Sequence, residues 1–214
     1  MQRKKLLLKI EQELEEIIFY AKKYYSRGWL YATSGNFSIF DPESGLVWIT
    51  ASGLDKSSLT KDDFLSLEIK AGNVVGETYK RPSAEFSIHQ VIYKNFSQAN
   101  ACLHVHTVSS CVLEYGLNRT NPIKKVPLPN LEIIKAFGNF QEEPNLSMLV
   151  VYNYGNVREI ADTLDIYLQK DFLELPFFLI ENHGITVWGK SVKEANKNLE
   201  AVEFILQVMV ARKT

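Results

Sequence analysis

The sequence predicts one compact α/β domain over residues 1–214, and three observations lead there. The length of 214 residues is enough to bury a sizeable core and sits at the upper end of what one domain usually holds. Helical periodicity opens and closes the chain, while short β-branched and aromatic runs occupy the stretches between. No linker-like composition divides it, and no internal repeat or low-complexity segment recurs.

Leu6, Leu7, Ile10, Leu14, Ile17, Ile18 and Ala21 recur at spacings of three and four, which predicts a long amphipathic helix ending near Gly28. Short runs at 37–40, 46–50 and 64–69, separated by Gly, Pro, Asp and Ser clusters, read as a meander of strands. Ser83 stands as the N-cap of a helix over 84–96, and 101–107 is strand-like. Pro122, Pro127 and Pro129 then break the pattern before one short helix containing Leu131, Ile134 and Phe137, capped by Asn130. Asn156 caps a helix reaching Lys170, 177–180 is a buried strand, and 185–188 is its neighbour across the turn Asn182-His183-Gly184. Ser191 and Glu194 form a capping box for a closing helix that turns Ala195, Leu199, Val202, Leu206 and Met209 to the core.

Lys and Arg number 24 against 25 Asp and Glu, for a net charge of −1, and no long run of either sign suggests nucleic acid or a membrane surface as partner. Any anion site must then be local. The apolar stretches are too short to span a bilayer, and Lys4-Lys5 followed by three leucines reads as a helix start, not a signal peptide. Two cysteines, Cys102 and Cys111, make no disulfide framework, which points to a reducing compartment and hence the cytoplasm.

His104-Val105-His106 lies in a strand-like run, where the period of two sends both imidazoles to one face. Borderline cations such as zinc take neutral imidazole nitrogen, and catalytic sites commonly use three protein ligands with one position open. Of the remaining histidines, His183 is the expected third ligand, because its turn and the following Gly184 allow close approach to another strand. His89, on a helix, is expected in the core or behind the ligands. The competing reading is a pair of half-buried strand histidines satisfied by hydrogen bonds.

Thr33-Ser34-Gly35-Asn36 and Thr50-Ala51-Ser52-Gly53 set small hydroxyl residues beside glycine at strand ends, where backbone N–H groups can form an anion-binding concavity. Ser83 adds a hydroxyl at a helix start. Each alone is an ordinary turn or cap. Together with the histidines they nominate Ser34, Gly35, Asn36, Ser52, Gly53 and Ser83 as a phosphate site.

These residues, with Arg27-Gly28-Trp29, Arg81-Pro82-Ser83-Ala84-Glu85 and His183-Gly184, resemble the class II aldolase family in order and spacing over nearly the whole chain. The resemblance implies a three-layer α/β/α fold around a mostly antiparallel sheet, a homotetramer with sites between subunits, and a zinc-type ion on His104, His106 and His183. Within the family, the Arg-Gly-Trp and Ala-Thr-Ser-Gly-Asn wording and the segment Leu131-Glu132-Ile133-Ile134-Lys135 look most like a branch that dehydrates a small phosphorylated ketose in methionine salvage. Tyr31, where that branch often has proline, and Glu181-Asn182, where a basic residue is common, depart from it.

The resemblance also nominates two glutamates. Glu85 matches the acid/base group of aldolase members, and Glu132 matches that of dehydratase members. Dehydrating a 2-keto sugar phosphate requires loss of a proton from C3 and of the C4 hydroxyl with proton assistance, which one carboxylate can serve. Without the resemblance, Glu132 reads as a solvated helix residue and Glu85 as charge at a helix start. Two other functions remain in view: an aldolase or epimerase acting on another sugar phosphate, and a non-catalytic assembly module.

Overall fold

The computed structural model describes residues 2–213. Helix α1 (Gln2–Ser26) leads into β1 (Asn36–Asp41), β2 (Leu46–Thr50) and β3 (Phe64–Glu68), followed by α2 (Phe86–Asn95), β4 (Ala101–Val105) and the short α3 (Val108–Val112). Then come β5 (Ile123–Pro127), a 3-10 helix at Glu132–Phe137, β6 (Ser147–Val151), α4 (Val157–Leu168), β7 (Phe177–Ile180), β8 (Gly184–Gly189) and α5 (Val192–Ala211). The strands form one eight-stranded sheet in the order β3-β2-β1-β4-β8-β7-β6-β5. All its pairings are antiparallel except β6 with β7.

Strand alternation distributes side chains to two cores, one on each face. Leu103 and Val105 of β4 join Phe37, Phe177, Ile10, Ile17, Leu199 and Val202 under α1 and α5. Cys102 faces the other way, with Val47, Ile49 and Phe178 beneath Ile88 and Ile92 of α2 and Ile160 and Leu164 of α4. The result is the three-layer α/β/α arrangement with a mostly antiparallel sheet. His104 shares the parity of Cys102, so it lies on the α2 side, fully buried.

Several local expectations are corrected. Ser83 is not the residue that caps α2; that position is Glu85, without a side-chain cap, and Ser83 Oγ accepts from the Glu85 N–H at 3.3 Å. Asn130 does not cap the 3-10 helix, which Leu131 precedes; its Nδ2 donates to the Glu142 carbonyl. Ser191 caps α5 as expected, but the Glu194 carboxylate accepts from Lys190 N–H, one residue earlier than in a capping box. Asn156 caps α4 by accepting from Arg158 N–H. Leu7, assigned to the apolar face of α1, is exposed. Strands β5 and β6 and helix α3 were not anticipated; β5 tolerates Pro127 because it is an edge strand.

Candidate metal centre

Register builds the centre. His104 on β4 sits opposite Asn36 of β1 and Thr186 of β8. Its Nδ1 lies 3.0 Å from Thr186 Oγ1, and donation there leaves the Nε2 lone pair facing outward. His106 lies one residue beyond β4, its N–H bonded to the Trp29 carbonyl at 3.0 Å. His183 occupies the β7–β8 turn, where Asn182 takes a φ of +55° and the His183 N–H returns to the Ile180 carbonyl. Gly184 makes this turn possible, since a Cβ there would lie 2.9 Å from the His106 ring and 3.0 Å from the His104 ring. The sequence placed glycine where the backbone must pass this close.

The three imidazoles converge edge to face, with centroids 4.5 to 5.0 Å apart. His104 Nε2 and His106 Nε2 are 2.8 Å apart. Glu85 closes the group, its Oε2 3.2 Å from His104 Nε2 and its Oε1 3.2 Å from His183 Nε2. One ligand atom from each of Glu85, His104, His106 and His183 lies within 4.8 Å of the others, an arrangement that could hold a metal ion. The donor chemistry fits a borderline divalent cation.

Burial, reinforced by the neighbouring imidazoles, pushes His104 well below the ordinary histidine range. It also pushes His106 down to about 4, with His183 adding to the effect. Both are therefore neutral near pH 7, the form that coordinates metal. Burial alone would push the Glu85 carboxyl up, but His104 and His183, in their protonated forms, and the Asn36 amide outweigh it and hold the group well below the carboxylate range.

A buried chain of hydrogen bonds stands behind Glu85. Asn36 Nδ2 donates to Glu85 Oε2 at 3.0 Å, and Asn36 Oδ1 lies 2.6 Å from His89 Nε2. His89 Nδ1 lies 2.6 Å from Ser38 Oγ, which lies 2.6 Å from the Tyr93 hydroxyl. His89 thus supports the centre without joining it, as the sequence suggested.

The candidate phosphate residues are contiguous. Ser52 N–H donates to the Arg81 carbonyl and Ser83 N–H to the Thr50 carbonyl. Gly35 and Gly53 take φ of +76° and +74°, and the buried Ser34 Oγ has no hydrogen-bond partner among the described residues. Asn36 differs from the others, since its side chain is committed to Glu85 and His89. Glu132 is elsewhere. Its exposed carboxylate pairs with Lys135 at 3.3 Å, and neighbouring Ile134 packs into the core under α1 and α5, on the sheet face away from α2.

A cleft of about 690 Å³ opens beside the centre, lined by Tyr31, His106, Val108, Cys111, Tyr154 and His183. Tyr31, one of the two departures, therefore faces the site. The other, Glu181, is buried and accepts from the N–H groups of Tyr115, Gly116 and Leu117, tying that loop to the turn of His183. Sequence reading missed this role, and also buried Glu203, which accepts from Thr107 Oγ1 and Ser109 Oγ just after His106. It missed Lys56, which is buried under the glycine turns although its polar neighbours read as exposed loop.

Residues 15–210 match the family described as Class II Aldolase and Adducin N-terminal domain, and the chain belongs to it. Among curated relatives, methylthioribulose-1-phosphate dehydratase of Leptospira biflexa serovar Patoc is 48% identical over 203 residues, covering 94% of this chain and 97% of the relative. The protein of the same name from Microcystis aeruginosa is 41% identical over 193 residues, covering 89% and 91%. Among solved structures, YgbL of Escherichia coli superposes with a TM-score of 0.74 at 25% identity over 94% of this chain and 90% of the other. An L-fuculose 1-phosphate aldolase superposes with 0.73 at 26% identity over 96% and 86%.

Proposed function

We propose that this chain is a methylthioribulose-1-phosphate dehydratase, a hydro-lyase of methionine salvage that converts 5-methylthioribulose 1-phosphate to 2,3-diketo-5-methylthiopentyl 1-phosphate. The observation that carries the reading is the convergence of His104, His106 and His183 with Glu85, in a chain 48% identical to a relative of that name. The whole chain acts as one class II aldolase-like domain, in the cytoplasm and as a homotetramer. No helix among the described residues is long and apolar enough to cross a membrane.

His104, His106 and His183 would hold one divalent cation per subunit, zinc in this reading, which when bound supplies Lewis acidity toward the substrate's carbonyl and hydroxyl oxygens. The protein's own groups do the rest. Ser34, Gly35, Asn36, Ser52, Gly53 and Ser83 form the turns that seat the phosphate, with the Asn36 side chain holding Glu85 in place. Glu132 accepts the C3 proton and returns it to the departing C4 hydroxyl, so water leaves and the resulting enol tautomerises to the diketone. Since the segment of Glu132 packs through Ile134 on the sheet face away from α2, Glu132 acts on the centre of a neighbouring copy in the tetramer.

A second reading is favoured by one observation: Glu85, not Glu132, sits among the imidazoles of its own chain. It makes the protein an aldolase or epimerase acting on another sugar phosphate. A panel of ketose phosphates decides between them. Diketone formation from 5-methylthioribulose 1-phosphate is expected; aldehyde release from another member, with that substrate untouched, would refute dehydration.

A further inference from the structure

A cation under the glycine turns has no part in the reaction derived above. Lys56 begins the 3-10 turn Lys56–Ser58 and is 1% exposed. Its Nζ donates to the Thr33 carbonyl at 3.0 Å and to the Leu54 carbonyl at 2.9 Å. One ammonium is therefore shared between the turn of Ser34, Gly35 and Asn36 and the turn of Ser52 and Gly53. An ammonium has three donors, and among the described residues the third has no acceptor and no carboxylate forms an ion pair with Lys56. The Asp55 carboxylate, next in the chain, accepts from Ser57 N–H instead.

Removing a charge from water is unfavourable unless an opposite charge offsets it. Burial accordingly draws Lys56 below the ordinary lysine range, while the charges of Asp55 and Glu85 oppose that shift. Other groups there are also unsatisfied. Ser34 Oγ is buried without a partner, and the left-handed glycines Gly35 and Gly53 present backbone of the kind that forms anion-binding concavities. A buried cation with no carboxylate in ion-pair contact, beside an unpaired hydroxyl and two such turns, describes a receptor for an anion.

We propose that Lys56 is the fixed positive charge of the phosphate subsite: a phosphate monoester dianion seats on the turns 34–36 and 52–53, and the buried ammonium supplies its counter-charge. This rests on the reading that the substrate is phosphorylated. Arg81, whose carbonyl bonds Ser52, is the competing cation, but it is exposed, where water and salt screen its charge. In the low-dielectric position of Lys56 the same charge acts far more strongly. Two carbonyls already hold the ammonium, so little ordering remains when the anion arrives. The effect falls on substrate binding and not on proton transfer at C3 and C4.

Inorganic phosphate is the probe, titrated calorimetrically into the metal-loaded full chain and two variants. Lys56→Gln keeps N–H donors for the two carbonyls and removes the charge; Arg81→Gln is the exposed control. Lys56→Gln should weaken phosphate at least about tenfold and raise KM for the phosphorylated ketose similarly, with kcat and metal content unchanged, while Arg81→Gln shifts phosphate binding less than about threefold. A tether alone would loosen the turn of Asn36, and so lower metal content and kcat together. That result, or unchanged phosphate affinity in Lys56→Gln, overturns the proposal. If Lys56→Gln does not fold, wild-type crystals soaked in phosphate decide. An anion on the Gly35 and Gly53 turns within reach of Lys56 Nζ supports the assignment, and one seated on Arg81 overturns it. Lys56-dependent phosphate binding without dehydration would refute the reaction and leave the subsite; dehydration indifferent to Lys56 would do the reverse.

Discussion

The His104 strand and the Glu132 segment were both nominated by short motifs, yet the fold treats them oppositely. His104 is locked between two strand neighbours, fully buried, and joined by His106, His183 and Glu85. Glu132 lies on a 3-10 helix, its side chain 80% exposed, with Lys135 as its ion-pair partner. The four groups of the candidate centre lie in one chain and are fixed by its own register and turns, so they are visible within that chain. A proton carrier needs only to reach the substrate, and can come from a second copy.

The sharpest way to break this contrast is at the ligands. His104→Ala, His106→Ala or His183→Ala should each lose bound metal and fall to background turnover, because an open three-ligand site has no spare donor. His89→Ala should keep its metal. Metal analysis of the four variants checks it; a depleted His89→Ala beside a fully loaded His183→Ala would misplace the third ligand.

Next in size is Glu132→Gln, expected to cut turnover about a hundred- to ten-thousandfold while leaving metal content intact, as for loss of a proton carrier. Glu85→Gln should behave differently. Its carboxylate touches two of the imidazoles, so metal affinity should fall by about 10–100-fold with a milder loss of turnover at saturating metal. Titrating metal into both variants while following diketone formation separates the two roles, and a dead, metal-loaded Glu85→Gln beside an active Glu132→Gln would favour the aldolase reading.

The smallest effect concerns His89, whose pKa burial pushes down to about 4 against the opposing charge of Glu85. The unfolded histidine binds its proton near pH 6.5 and the folded one only near 4, so between those values the unfolded state holds more protons. Stability is full above about pH 6.5 and is lost as pH falls toward 4, by about 3 kcal/mol from this residue at the limit. His89→Gln should flatten that fall in denaturant titrations across the window. An unaltered pH dependence would mean that His89 titrates normally.

What the sequence revealed follows the same division. Strand alternation and the glycine after His183 are local, so the convergence of His104, His106 and His183 was legible, as were the long helices with their three-to-four spacing. Strand β6 was not: Ser147–Val151 is buried almost throughout, so it shows no alternation, and the prolines and polar residues before it masked its edge partner β5. Lys56 and Glu181 were invisible for another reason. Lys56 is a charged residue in a polar stretch and Glu181 closes the apolar run 177–180, and what holds each lies on segments far away in sequence: Thr33 for Lys56, the 115–117 loop for Glu181. Glu132 was recognisable only by resemblance, since nothing in its own chain brings it to the three clustered histidines.

Complementation between two inactive variants shows whether one site is built by two subunits. His106→Ala and Glu132→Gln chains are co-expressed, purified as mixed assemblies, supplied with metal, and assayed for diketone formation from 5-methylthioribulose 1-phosphate. If one copy gives the metal centre and its neighbour gives Glu132, random mixing restores about a quarter of the sites and a matching share of wild-type turnover. Mixed assemblies that stay as inactive as their parents would contradict a dehydratase whose centre is completed across subunits.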